Sequence, residues 1–255
     1  MGNAAQHNYK TKKIVAIKNH LIPPILFIVV VSLLGGCNMQ NRFLYFPSGD
    51  RPSAAMLAAE NLALWPATAE DYRGLIAAGE TLAPHGTIVL FHGNGGTALD
   101  RGFYLEPLME LGFRVVLAEY PKYGGRPGLV GEKPFVAAVA NKTTVPIAGI
   151  ILITPWDTLA AVAKSLFPFL PVTMLLTDKY DSIENLKSFK KKISVIGAER
   201  DEILPISHAL NLYKFLPEDK KRLWIIKGAG HNDWPFHVDS SFWKEITDFV
   251  QVENN

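Results

Sequence analysis

The chain has 255 residues, 48% of them hydrophobic and 11% aromatic, which is enough to build one sizeable core and makes one domain the expectation. Its formal charge is +2, but residues 1–36 hold Lys10, Lys12, Lys13 and Lys18 and no acid; setting those four aside from the 26 basic residues leaves 22 against 24 acidic ones, a net of −2. That balance excludes an electrostatic case for binding nucleic acid, and the clusters Lys190-Lys191-Lys192 and Lys220-Lys221-Arg222 read as solvated rims.

At the amino terminus a basic stretch ends at His20, and an apolar run from Leu21 to Leu34 follows, broken early by Pro23-Pro24. The run is short for a membrane span, which needs about 20 residues, and fits the core of a signal peptide. Gly35-Gly36 then precede Cys37, the one cysteine of the chain, which can form no internal disulfide. "LLGGC" resembles the lipobox of bacterial lipoproteins. The resemblance implies a signal peptide over 1–36, a mature domain over 37–255, and a Cys37 whose acyl chains insert into a lipid bilayer; several chains anchor stably where one binds marginally. An uncleaved signal anchor with an incidental cysteine is the competing reading. Asn38 is not the Asp that, in the sorting pattern this resembles, favours retention at the inner membrane. The location expected is the bacterial cell envelope, at the outer membrane if the cell is Gram-negative.

The Pro/Ala-rich stretch Pro47–Pro66 reads as an irregular lead-in. From Tyr72 strands and helices alternate. "TIVLFH" (Thr87–His92) fits a buried parallel strand. "FYLEPLMELG" places Phe103, Leu105, Leu108 and Leu111 at mostly helical spacing and stops at Gly112. "FRVVLAEY" (Phe113–Tyr120), "GIILITP" (Gly149–Pro155), "ISVIGA" and "LWIIKGAG" read as further strands, with a helix over Ile206–Leu216 between the last two. Phe242, Ile246, Phe249 and Val250 mark a closing amphipathic helix. Such alternation predicts an α/β fold with a mostly parallel sheet flanked by helices.

In such a sheet the chemistry lies in loops at the carboxyl ends of strands. "FHGNGGT" (His92, Gly93, Asn94 and onward) is a His-Gly turn whose backbone N–H groups suit a developing oxyanion, although a nucleotide loop or a plain turn reads similarly. "GAERDEILP" puts Asp201 after one strand, and "GAGHNDWP" puts His231 after the next. Taken singly, Asp201 reads as a helix cap and His231 as a loop residue. Together, downstream of the His-Gly turn, they read as an acid–base pair.

The segments "FLYFPS", "TIVLFHGNGG", "GFRVVLAEYPKYGGRPG", "GIILITPWDTLAAVAKSLFPFLP", "TDKYDSIENLKSF", "AERDEILP" and "GAGHNDW" resemble, in order, the α/β-hydrolase superfamily and within it the bud-emergence-type hydrolases and their bacterial lipoprotein relatives. The resemblance implies Asp201 as triad acid, His231 as general base and the Asn94 N–H as an oxyanion donor. It implies a small ester-like ligand, hydrolysis of ester, thioester or amide bonds, and no cofactor and no metal.

One piece of the family pattern is missing. Between "GGRPG" and "GIILITP" the family carries a helix, a strand, the nucleophile elbow Gly-x-Ser-x-Gly and a second helix, which need roughly 40 residues. Here about twenty separate Gly128 from Gly149, and no such motif occurs anywhere in the chain. The expected fold therefore lacks one central strand–helix unit, and with it a nucleophile. "EKPFVAAVAN" (Glu132–Asn141) is long enough for a βαβ crossover, which would let "GIILITP" shift one place and pair with "TIVLFH"; an unfilled slot with two bare edges is the alternative. The shift would offer Thr154, Asp157 or Thr158 of "TPWDTL" as an unorthodox nucleophile, with Asp157 more simply the N-cap of the helix over Thr158–Leu166. Ser207 is marked by nothing beyond being a serine. A hydrolase-family lipoprotein without competent catalysis is the expected function; the alternatives are an active hydrolase with an unorthodox nucleophile and a non-catalytic binding or scaffold lipoprotein.

Overall fold

The computed structural model describes residues 44–251 except 48, 69, 71, 80–83, 129–136, 138–142, 170 and 177–178. The signal-peptide segment 1–36 and Cys37 lie outside the described residues, as does the crossover Glu132–Asn141 apart from Ala137. Residues Phe46–Asn255 form one compact unit; of the other, Met1–Tyr45, two residues are described.

Two sheets result. The first has four strands in the order β1 (Leu62–Trp65), β2 (Gly74–Ala77), β4 (Phe113–Ala118), β3 (Gly86–Phe91). Its β1–β2 and β2–β4 pairs are antiparallel, and β3 runs parallel to β4 from Gly86↔Phe113 to Phe91↔Ala118. The second is all parallel, in the order β5 (Gly149–Ile153), β6 (Lys192–Ala198), β7 (Lys221–Ile226). The lead-in is thus more ordered than its composition predicts: Ser53 caps a helix, α1 (Ala54–Ala59), and β1 follows. Four residues are too few for an alternating pattern to stand out.

The slot-filling expectation is corrected. β5 pairs with β6 and not with β3, so the sheets stay separate and, among the described residues, no strand lies between them. β3, an interior strand by sequence, leaves Val89 49% exposed. The reason lies in register: β6 already pairs with β5 on one edge and with β7 on the other along its length, so closing onto β3 would require moving the whole three-stranded sheet and the helices packed on it.

Both sheets contribute to one core. Leu75 and Leu117 of the first and Ile196, Ala198 and Ile226 of the second are buried in a single cluster, with Ile88, Leu90, Ile151 and Ile153 packed against it. The closing helix, α7 (Ser240–Gln251), packs on β5, on β6 and on α2 (Leu105–Glu110), which in turn packs on β4. Trp243 in its first turn lies against Tyr104 and Trp234, with ring centroids 5.6 and 6.0 Å away. Gly149 lets the helix approach: a Cβ there would stand 2.8 Å from both the Lys192 carbonyl oxygen and the Val250 Cβ. A second cluster, around Leu186, Ile193 and Leu212, includes Ala137, the one described residue of the crossover.

Ile246 is fully buried in the cluster that both sheets share. Ile246→Ala should lower unfolding free energy by about 2–5 kcal/mol in urea denaturation. A loss no greater than that of an exposed α7 residue such as Lys244→Ala would show that α7 does not hold the sheets together.

Candidate active site

The loop after β6 places the acid. Asp201 Oδ1 accepts hydrogen bonds from the backbone N–H groups of Ile203 (2.9 Å) and Leu204 (2.6 Å), which fixes the carboxylate ahead of α6 (Ile206–Phe215). Its Oδ2 lies 2.7 Å from Nδ1 of His231, in the loop after β7. The Asp201 side chain is buried, while the His231 ring keeps partial exposure. With Nδ1–H donating to the carboxylate, neutral His231 presents the lone pair of Nε2, for which no hydrogen-bond partner exists among the described residues. The sequence-predicted pair is therefore in contact.

The loop after β3 is held from beneath. His92 is buried, with Nε2 2.8 Å from Glu119 Oε1 and Nδ1 2.7 Å from the Gly93 carbonyl oxygen. Both ring nitrogens thus face acceptors, an arrangement in which only the imidazolium donates both bonds. Glu119 also accepts from the N–H groups of Ala98 (2.9 Å) and Tyr120 (3.1 Å). Tyr120 donates its hydroxyl to the His92 carbonyl (3.0 Å), and Tyr123 to that of Asn94 (2.8 Å), which also accepts from Phe46 N–H (3.1 Å). The expectation that His92 lines the substrate site is corrected: its side chain is fully enclosed and shapes the turn, while Gly93 and Asn94 are exposed. Glu119, Tyr120 and Tyr123 were given no role by sequence reasoning. The one available signal was an acid and two tyrosines packed into "AEYPKY" at a strand end. Burial raises the Tyr120 hydroxyl well above the usual phenol range, so it stays a neutral donor.

Of the proposed substitute nucleophiles, Asp157 is excluded as a free carboxylate. It is buried; Oδ1 takes the N–H of Thr158 (2.7 Å) and faces His208 Nδ1 (2.9 Å), and Oδ2 takes Asn211 Nδ2 (2.7 Å). Its reading as N-cap is corrected too. Thr158 is the cap of α3 (Leu159–Leu166), its Oγ1 accepting from Ala161 N–H at 3.0 Å, and that hydroxyl is committed there. Thr154 differs: it follows β5 with φ of 43°, a left-handed backbone that a β-branched residue rarely adopts. Ser207 is exposed in the first turn of α6. Among the described residues no cluster of three or more His, Cys, Asp or Glu could hold a metal ion.

No protein-family model matches the chain. An uncharacterised protein of Mycobacterium tuberculosis is 28% identical over 234 aligned positions, covering 77% of this chain and 82% of that one. The α/β hydrolase domain-containing protein aho-3 of Caenorhabditis elegans is 27% identical over 201 positions, covering 66% of this chain and 58% of its own length. Among solved structures, an esterase of Pyrococcus furiosus superposes with a TM-score of 0.53 at 13% identity, over 81% of this chain and 98% of that one. The chain has the α/β-hydrolase fold and is similar in sequence to proteins named for an α/β hydrolase domain. The alignment lengths carry a further fact. Since 77% of this chain is about 196 residues, about 38 of the 234 positions in the alignment with the mycobacterial protein have no residue here.

Asp201→Asn should turn the His231 ring over to the Nε2–H tautomer, because the amide nitrogen would then donate to Nδ1. Nitrogen-15 shifts of the imidazole check this; an unchanged tautomer would show that the carboxylate does not orient the ring.

Proposed function

We propose that this chain is a lipid-anchored envelope protein of α/β-hydrolase fold that keeps the acid, the base and one oxyanion loop of a serine hydrolase but lacks the nucleophile, and so does not turn over esters. The observation that carries the reading is the Asp201–His231 pair, whose Nε2 meets no serine among the described residues, in a chain that contains no Gly-x-Ser-x-Gly. Removal of the serine alone from such a site costs about 10⁶-fold in turnover, leaving roughly 10³–10⁴ over water from binding and the oxyanion hole. Loss of the elbow also removes the N–H that follows the nucleophile, a second oxyanion donor. What remains, the acid, the base and the exposed Gly93-Asn94 turn, is a set of polar groups that would hold a small ester-like ligand. Hydrolysis of short p-nitrophenyl esters should therefore equal that of a His231→Ala control, and a rate more than tenfold above that control would contradict the reading.

One observation favours a second reading, in which Thr154 replaces the serine. A nucleophile elbow is a strained turn at the carboxyl end of a strand, and Thr154 has positive φ at the end of β5. Esterase activity lost in both Thr154→Ala and His231→Ala would select this reading over the first.

The anchor rests on Leu33-Leu34-Gly35-Gly36-Cys37. A palmitate analogue fed to expressing cells should label the protein, and Cys37→Ser should abolish both the label and membrane association. Persistent membrane association of uncleaved Cys37→Ser protein would instead identify a signal anchor.

A further inference from the structure

Asp157 and His208 form a buried acid–base pair that the Asp201–His231 site does not use. Asp157 stands just ahead of α3 and, as a carboxylate, only accepts: Oδ1 takes the Thr158 N–H and Oδ2 takes a proton from Asn211 Nδ2. His208 Nδ1 lies 2.9 Å from Oδ1, so it carries the proton and donates it. Asn211 follows His208 by three residues on α6, and its bond to the other carboxylate oxygen fixes the acid and with it the ring. In that tautomer neutral His208 presents the lone pair of Nε2. The hydroxyl oxygen of Ser165, in the last turn of α3, lies 3.3 Å from Nε2.

Carboxylate to Nδ1 and Nε2 to a hydroxyl is the order of contacts in a Ser-His-Asp triad, which is recognised by geometry and roles and not by position in the chain. The acid and the base are buried while Ser165 is exposed, so a reagent reaches the nucleophile from outside. The Ser165 hydroxyl donates to the Val162 carbonyl at 2.8 Å. Its oxygen is within reach of both acceptors, and turning the O–H bond transfers the proton from the carbonyl to Nε2. A long contact between nucleophile and base is common before substrate binds. Leu166 and Phe167, which follow Ser165, are exposed, and Phe169 is 97% exposed, which puts apolar surface next to the hydroxyl in the chain. An acyl chain suits such surface. Support for an oxyanion is poor: the Phe167 N–H is bonded to the Ala163 carbonyl, and the carboxyl end of a helix disfavours negative charge.

We propose that Ser165, His208 and Asp157 form a second nucleophilic site, sharing no residue with Asp201–His231, which accepts an apolar acyl group from an activated ester and keeps it. Ser165 Oγ attacks the acyl carbonyl carbon, and its proton passes to His208 Nε2. The Oγ–C bond forms, the bond from that carbon to the leaving oxygen breaks, and the leaving group departs as a stable anion; solvent takes the proton from Nε2. Without oxyanion donors the site uses only esters whose leaving group is good, and water does not release the acyl group at a comparable rate. The result is one acylation per chain without turnover, an activity beyond the reading given above.

The test mixes full-length protein with p-nitrophenyl octanoate. A burst of about one p-nitrophenolate per chain is expected, the kinetic signature of an accumulating acyl-enzyme, with the octanoyl group mapped to Ser165 by tandem mass spectrometry. Ser165→Ala, a change at an exposed position, should remove both the burst and the adduct, while Ser165→Cys should keep an adduct at that position. Ser207→Ala, exposed on the same helix as His208, should keep both. Asp157→Asn should slow acylation of Ser165 by more than about tenfold, because the ring loses the carboxylate that sets its tautomer. No burst, an octanoyl group found on a lysine or on Thr154 and not on Ser165, or a full burst in Ser165→Ala would overturn the proposal. The burst reads Ser165 and the steady rate after it reads the Asp201–His231 site, so failure of one is distinguishable from failure of the other.

Discussion

A β-strand inside a sheet needs a hydrogen-bonding neighbour on each edge, and among the described residues nothing supplies the one that would lie between β3 and β5. The rest of the molecule follows from that shortage. Strand order breaks into β1-β2-β4-β3 and β5-β6-β7, and Val89 is left half exposed in a strand whose composition is that of an interior one. In the proposed reading the open position is that of the strand whose carboxyl end carries the nucleophile in an α/β hydrolase, so one missing element would be at once a structural and a chemical loss.

The halves remain one unit because their side chains still share a core. Ile246 of α7 sits in the cluster formed by Leu117 on one sheet and Ile196 on the other, and the Tyr104–Trp234–Trp243 group ties the loop after β3 to the loop after β7. Apolar burial is non-directional and tolerates a missing layer, whereas backbone pairing is directional and does not. The two candidate-site loops are each fixed locally. Asp201 is set by the N–H groups two and three residues on, and the His92 turn by Glu119, Tyr120 and Tyr123 from the adjoining strand end.

Most of this was legible in the sequence. Strands such as "FRVVLA" and the helix over Ile206–Phe215 followed from apolar runs and periodicity, and the Asp201–His231 contact from two loops after successive strands. The choice between a shifted strand and an open slot was not legible, because it depends on how firmly β5 is already committed to β6, a relation between segments over forty residues apart. The buried His92–Glu119 pair escaped for the same reason: its members stand 27 residues apart on neighbouring strands. Asp157 was read as a cap because a local reading cannot see His208 and Asn211 reaching it from α6.

Amide hydrogen exchange resolved along β3 and β5 tests the open sheet most directly. In parallel strands successive N–H groups point to opposite edges, so the account predicts alternation: amides bonded to β4 or β6 protected, and those facing the opening exchanging at rates near those of exposed loops. Uniform protection along both strands would contradict it, since it would mean that another segment already occupies the space between them.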